Sequence, residues 1–272
     1  MEFRNPAGWY GWAPQEDDQI VVTHNGYDSG IMYVATVVPA DGRYRIVATS
    51  LPCRARAKRY QSFARQTVAE IMNKCAMATG MSYRTYGGIG SVYVPYVIQN
   101  NESCAAFLGK LLKLEGAVLK CVNGTYAAIG VEYAQSRTAA QGFSVYANQK
   151  VAEYCREGTT YKAITVISPY GAATAEDNLA PESHQRITVS GLPVMDDAQA
   201  ARWARGKLLA HNRKCESVRV QMEYNPGLTA MERVDITGDT DATGQWVVDT
   251  VEHDLINMTS TMLAYRCLRT VH

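Results

Sequence analysis

Residues 98–116 read IQNNESCAAFLGKLLKLEG. A polar turn opens the stretch, an amphipathic segment fills it and a glycine closes it, in a chain otherwise strand-like in texture. Asn100 or Asn101 can cap a helix here, and Glu102 favours its positive end. Cys104, Phe107, Leu108, Leu111 and Leu112 recur at helical spacing as one apolar stripe. Lys110 and Lys113 lie near the negative end, and Gly116 is placed to terminate the helix. Beyond it, Ala117 to Val122 reads as a strand, Asn123-Gly124 as a two-residue hairpin turn and Thr125 to Tyr133 as the returning strand. A helix of this kind must bury its stripe, and a small adjoining sheet is the natural cover.

The same plan stands one unit upstream. Thr67-x-x-Glu70 is a capping box, and Val68, Ile71, Met72, Cys75, Ala76 and Thr79 follow at helical spacing. Gly80 sits where a left-handed C-cap belongs. A strand from Met81 to Tyr86 follows, Gly87-Gly88 turns it, and Val92, Val94, Tyr96 and Ile98 alternate along the next. Residues 67–133 therefore read as two successive helix–glycine–strand–turn–strand units, an α+β module.

The flanks are β-rich. Ile20 to Thr23 runs into the turn signal His24-Asn25-Gly26, and Ile31 to Val38 pairs with Arg43 to Thr49 across Asp41-Gly42. Short strands joined by tight turns predict a barrel or a sandwich. Residues 53–59 alternate small and basic, which on a strand puts Arg54, Arg56 and Lys58 on one face. That face is either a charge-protected edge or a docking strip for an acidic partner. In residues 137–195, Tyr161 to Ser168 and Arg186 to Ser190 are candidate strands, Pro169-Tyr170-Gly171 is a turn and Ala172 to Ser183 reads as a surface loop. Asp196-x-x-Gln199 opens a helix to about Asn212, with Ala200, Ala204, Leu208 and His211 on one face. Gly206 weakens that helix by about 1 kcal/mol relative to alanine and suits a close approach. The remaining strands are Ser217–Tyr224, Glu232–Thr237, Gln245–His253 and Ser260–Leu268.

Composition narrows the function. Only 19% of the 272 residues are charged against 47% hydrophobic, which suits a surface partly covered by other subunits. A net charge of +1 gives no strong field for nucleic acid or an acidic membrane, and no sequence-specific nucleic-acid partner is expected. No apolar run has signal-peptide or membrane-span length, so a cytoplasmic protein with no membrane partner is expected. The seven cysteines are odd in number and widely spaced, which suits neither a disulfide framework nor a zinc site. Cys75 and Cys104 fall on apolar helix faces. His24, His184, His211, His253 and His272 form no metal-binding spacing, and no nucleophile elbow or phosphate loop is present. Gly87-Gly88-Ile89-Gly90 lies between strands and reads as a hairpin loop. Glu102 and Glu115 stand roughly 20 Å apart at the two ends of one helix, too far to share a glycosidic bond. The 17 tyrosines are spread along strands, as strand propensity and subunit interfaces favour. No cofactor or metal is called for.

A resemblance then emerges. Val97-Ile98-Gln99-x-x-Glu102-Ser103-x-x-x-Phe107-Leu108, followed by Glu115-Gly116-Ala117-x-Leu119-Lys120, resembles the phage tail hub proteins related to late control protein D. In that family a strand ends in Gln, a Glu-Ser-Asp turn opens a helix, Phe-Leu packs inward and Gly-Ala leads to a hairpin. Cys104 stands where the Asp is usual, which puts the local polar contacts in question. Phe63 through Thr67, Glu70-Ile71 and Gly80 resemble the preceding helix. Ala201 to Asn212, Asn225-Pro226-Gly227-Leu228, Val234-x-Ile236, Gly244-x-Trp246-x-Val248 and Val251-x-His253 resemble the family's second barrel. Together the matches span most of the chain.

What the resemblance implies is an α+β, mainly β fold with two β-barrels and an intervening α+β module. The parts are residues 1–60, which begin the first barrel, 61–136, the module, and 137–272, the second barrel with one helix. Hubs of this family form homotrimers, and two similar barrels per chain give a ring of six. Such a ring would match the tail tube or tube-initiator protein on one side to the central spike protein on the other, with baseplate wedge and tape-measure proteins as further neighbours. It would be built in the bacterial host cytoplasm and sit at the baseplate of a virion or bacteriocin particle. The chain ends at His272 without the cell-wall hydrolase domain of longer relatives, so no enzyme is expected. The residues carried over are structural: Gln99, Glu102, Ser103, Phe107, Leu108, Gly116, Gly244 and Trp246. Arg54, Arg56 and Lys58 are candidate partner contacts. A tail-associated peptidoglycan hydrolase and a carbohydrate-binding β-module are the alternatives. The latter would want clustered exposed tryptophans, whereas Trp9, Trp12, Trp203 and Trp246 are scattered.

Overall fold

The computed structural model describes residues 2–4, 13–40, 43–145, 152–156 and 160–267. The fold is α+β and mainly β. Its first strands are β1 (Glu2–Arg4), β2 (Gln19–Ile20), β3 (Thr23–His24), β4 (Tyr27–Asp28), β5 (Met32–Ala40) and β6 (Arg43–Thr49). They form a sheet of order β1-β6-β5-β2 and the small ribbon β3-β4. The expected pairing of β5 and β6 is present and antiparallel. Its turn, Asp41-Gly42, lies outside the described residues, as do Trp9, Trp12, Leu268 and His272.

The basic strip is not a strand along its length. Cys53–Arg56 forms one helical turn, α1, and strand β7 (Lys58–Thr67) starts only at Lys58. Ala55 is fully buried and is the reason for the turn, since a helical bend behind Pro52 drives that small side chain inward. Arg54 and Arg56, two residues apart on a helix, therefore diverge by about 200° instead of sharing a face.

Helix α2 (Val68–Thr79) is built as its sequence predicts. The Thr67 N–H donates to Glu70 Oε2 at 2.7 Å and the Glu70 N–H donates to Thr67 Oγ1 at 3.3 Å, closing the capping box. The six stripe residues are buried, and Gly80 ends the helix at φ 70°. After it the topology departs from two repeated units. Strand β8 (Ser82–Tyr86) does not form a hairpin with β9 (Tyr93–Ser103). Gly87 and Gly88, both at positive φ, lead into a 3-10 turn over Ile89–Ser91, and β9 leaves to pair with β7 along its whole length. Burial explains the exchange: β9 turns Val94, Val97 and Gln99 inward beside Phe63, whereas β8 carries no fully buried side chain.

Helix α3 (Cys104–Leu114) buries Cys104, Phe107, Leu108, Leu111 and Leu112. β10 (Ala117–Val122) and β11 (Thr125–Gly130) form the predicted hairpin, with Asn123 and Gly124 at φ 47° and 65° as a type I′ turn requires. β11 then takes the middle of a three-stranded sheet, antiparallel to β10 and parallel to β8. The strand expected to reach Tyr133 ends at Gly130, and Val131–Ser136 is a short helix, α4, whose Val131 and Ala134 are buried.

Strands β12 (Gln141–Val145) and β13 (Ala152–Arg156) come next in the chain. β14 (Ala163–Ser168), β15 (Gly171–Glu176) and β16 (Arg186–Val189) make a sheet of order β15-β14-β16. The loop expected over Ala172–Ser183 is thus a strand in its first half. Its alanines have low strand propensity, but α5 (Asp197–Asn212) lies close against it, and a side chain at Gly171 would meet the Asp196 backbone at 2.5 Å. Asp196 caps α5, its Oδ1 accepting from the Gln199 N–H at 2.7 Å. Gln199 reaches past the cap and accepts from the Met195 N–H.

The carboxyl-terminal strands match expectation: β17 (Glu216–Glu223), β18 (Arg233–Gly238), β19 (Gly244–Asp254) and β20 (Thr259–Arg266). With β12 and β13 they form a six-stranded sheet of order β12-β18-β19-β20-β17-β13. One apolar core joins α2, α3, β7, β9 and β11 to α5 and β14–β16, and a second lies within the six-stranded sheet around Trp246, Val248, Val218 and Met262. Met231, Ala134 and Val247 make a smaller cluster of their own.

Candidate functional site

The motif residues around α3 form one polar-and-apolar clasp. β9 delivers Gln99 into the interior, fully buried, where its Nε2 donates to the Glu102 carbonyl at 2.8 Å and to Cys104 Sγ at 3.7 Å. The helix cap is Ser103, not Asn100 or Asn101: its Oγ accepts from the Ala106 N–H at 3.2 Å. Asn101 instead takes a left-handed backbone at φ 50°, which Asn tolerates better than most residues. Glu102 pairs with Lys110 at 2.5 Å. Phe107 stacks on Phe63 with ring centroids 5.2 Å apart, and Leu108 is fully buried.

Cys104 answers the question its position raised. It is the first residue of α3, it is buried, and its sulfur accepts from Gln99 Nε2 at 3.7 Å. The neighbouring Cys75 thiol of α2 and the Gln99 amide hold the Cys104 pKa below the ordinary thiol value, while Cys75 is pushed up. The sulfur so occupies the polar place at the helix start.

At the far end of α3, Gly116 adopts φ 72° and its carbonyl accepts from the Val131 N–H at 3.0 Å. Glu115 enters the sequence reading as a distant carboxylate and as the start of the Glu-Gly-Ala motif, neither of which gives its role. Its side chain is 1% exposed and holds α5: Oε2 accepts from Arg202 Nε at 2.9 Å and Oε1 from Trp203 Nε1 at 2.8 Å. Arg202 also donates to the Tyr93 carbonyl at 2.8 Å, tying β9 to the same point. These partners lie 87 and more residues apart, so no local pattern marks them. The close approach foreseen at Gly206 is real, since a β-carbon there would overlap the Leu114 carbonyl and stand 2.8 Å from the Gly116 nitrogen.

In the six-stranded sheet, Trp246 is fully buried, donates to the Ala242 carbonyl at 2.8 Å and lies under the Arg266 guanidinium, 4.4 Å from the ring centroid. Gly244 has φ 142°, a conformation that needs glycine, and a side chain there would strike Arg266. The motif residues thus build two separate packing nodes and do not converge on a shared cleft. Arg54 leans over Gly80, Arg56 pairs with Glu16 at 3.1 Å, and Lys58 begins β7 opposite Ser103; all three are exposed.

The loop at Gly87–Gly90 borders a cavity of about 240 Å³ that also holds Arg202 and Arg205. Both arginines are engaged, by Glu115 and Glu132 respectively. Among the described residues no three His, Cys, Asp or Glu side chains are grouped to hold a metal ion, and no helix is long and apolar enough to cross a membrane.

No protein-family model and no curated protein matches the chain. Solved structures do. The 43 kDa tail protein of prophage MuSo2 from Shewanella oneidensis superposes with a TM-score of 0.72 over 98% of this chain and 88% of its own, at 14% identity. The fold is that of phage tail proteins. A tail protein from Neisseria meningitidis MC58 gives a TM-score of 0.74 over 92% of this chain and 84% of its own, at 10% identity. The E. coli c3393 protein, a type VI secretion component described as similar to T4 tail proteins gp27 and gp5, gives 0.54 at 11% identity over 92% of this chain and 64% of its own. This tail-protein fold survives with almost no sequence in common, so what is retained is the chain path.

Proposed function

We propose that the chain is the structural baseplate hub of a contractile phage tail or phage-tail-like bacteriocin. Three copies would form a ring that adapts the sixfold tail tube to the threefold central spike, with no enzymatic role. The observation that carries the reading is the likeness in fold to the Shewanella prophage tail protein across 98% of the chain. The inward use of the motif residues supports it, because they hold elements together and leave no group aimed at a substrate. The low charge of the surface supports it too, as does the ribbon β7–β9, whose strands pair only with each other among the described residues and so keep unpaired outer edges.

In this reading residues 1–60 and 137–272 supply the two barrels and 61–136 the module between them. Arg54, Arg56 and Lys58, exposed but not on one face, contact other tail components. Tube or tube-initiator, spike, wedge and tape-measure proteins are the partners, assembly takes place in the bacterial host cytoplasm, and the particle's baseplate is the final location. Trp203 and Trp246 are both fully buried, which removes them as a sugar-stacking surface.

The test pairs solution mass with clearance of turbid cell-wall suspensions. Trimers without clearance support the hub. A monomer that clears cell walls would replace it with a hydrolase, and a monomer retained on immobilised glycan with a binding module.

A further inference from the structure

A second cavity, of about 350 Å³, opens between the last turns of α3 and α5 and the sheet β14–β16. Its wall carries Lys113 from α3 and Lys207, His211 and Lys214 on and just beyond α5. The last three are spaced i, i+4 and i+7, so they form one stripe. No carboxylate lines it, and among the described residues none of the three lysines is in an ion pair. Its floor is apolar, with Ile164 and Ile187.

Two features separate this from an ordinary solvated face. Helix dipoles account for Lys113 and His211, each in the last turn of its helix, and the Tyr265 ring, 5.7 Å from the ammonium, accounts for Lys214, but neither accounts for Lys207, more than a turn earlier. The wall is also held rigid. Fully buried Asn212 clamps Tyr161 on both sides, accepting from its N–H at 2.9 Å and donating to its carbonyl at 2.8 Å, and donates again to Asp177 at 2.6 Å. Tyr161 in turn stacks on His211 with centroids 4.0 Å apart. A preformed pocket costs less to fill than one that must be ordered first.

We propose that this cavity is a docking site for an acidic segment of a partner protein, one that places an aliphatic side chain on the isoleucine floor with carboxylates among the lysines. Charge complementarity selects the acidic partner. The apolar floor selects a peptide over nucleic acid, whose backbone needs an extended basic track that a chain of net charge +1 does not offer. The proposal stands independently of the hub reading.

Methyl-labelled isoleucine NMR on the full chain tests it, and works for a monomer or a trimer. The probe is the capped pentapeptide Asp-Leu-Glu-Leu-Asp, with its Asn/Gln counterpart, inorganic phosphate and decathymidylate as comparisons. The acidic peptide is expected to shift the Ile164 and Ile187 methyls saturably. Its affinity should fall on the order of fivefold or more with Lys207→Gln plus Lys214→Gln, or with added salt, and return with arginine at both positions. No saturable shift, or an equal response to the neutral peptide, would overturn the site. Phosphate acting alone at lower concentration would reduce it to a simple anion site, and tighter decathymidylate binding would reassign it to nucleic acid.

Discussion

The indole nitrogen of Trp203 donates to Glu115 Oε1 at 2.8 Å, and both side chains are buried. With the Arg202–Glu115 pair, this contact joins the end of α3 to the second turn of α5. Trp203→Phe keeps most of the ring volume and removes the donor, leaving a buried carboxylate oxygen without its partner. The expected cost is about 1–3 kcal/mol. Urea unfolding reads it as a lower midpoint at unchanged slope. A change too small to resolve would mean that water or Arg202 replaces the bond.

Gly206→Ala separates intrinsic helix preference from packing. Preference alone raises stability by about 1 kcal/mol. The overlap with the Leu114 carbonyl must instead force α3 and α5 apart. A net loss of about 1–3 kcal/mol is expected, so the sign of the shift in melting temperature decides between the two effects.

The cap of α3 is assigned to Ser103, so Ser103→Ala should cost about 1 kcal/mol while Asn100→Ala stays within about 0.5 kcal/mol. Paired denaturation curves check the contrast, and the reverse order would return the cap to the asparagine.

His253 predicts a pH dependence. Burial, with rings of Tyr27 and Tyr224 5.2 and 5.8 Å away, holds its pKa below the ordinary value of about 6.5. The unfolded chain therefore binds the proton more readily than the folded one. Its contribution is complete above about pH 6.5 and is lost as pH falls through the lowered folded value. Carboxylates such as Glu70, held low by the Thr67 cap, act only further down the scale. Stability measured between pH 7 and 5 should slope downward in the wild type and less so in His253→Gln.

Much of this fold is legible in the sequence because it is written in local chemistry. Thr67 with Glu70, Asn123 with Gly124, and Asp196 with Gln199 each set an element boundary within four residues. Helix faces follow for the same reason: every stripe residue read in α2 and α3 is buried. What could not be read depends on distant partners. Nothing near Gly87 says that β9 prefers β7 to β8, because the choice is made by Phe63, Val94 and Val97 finding one core. Ala173 and Ala175 look like loop residues until α5 lies over them. Glu115 looks like an ordinary helix-end carboxylate until Arg202 and Trp203 reach it. At Arg54 and Arg56 the alternation of small and basic residues reads as a strand, and only the burial of Ala55 in a helical turn overturns it.

The hub reading rests most directly on self-association. Sedimentation equilibrium of the purified full chain, at concentrations from a few to tens of micromolar, gives its mass independently of shape. A species of three times the 30.0 kDa chain mass is predicted, persisting on dilution across that range. A single species of 30.0 kDa throughout, unchanged after mixing with the tail tube protein of the same particle, would contradict it.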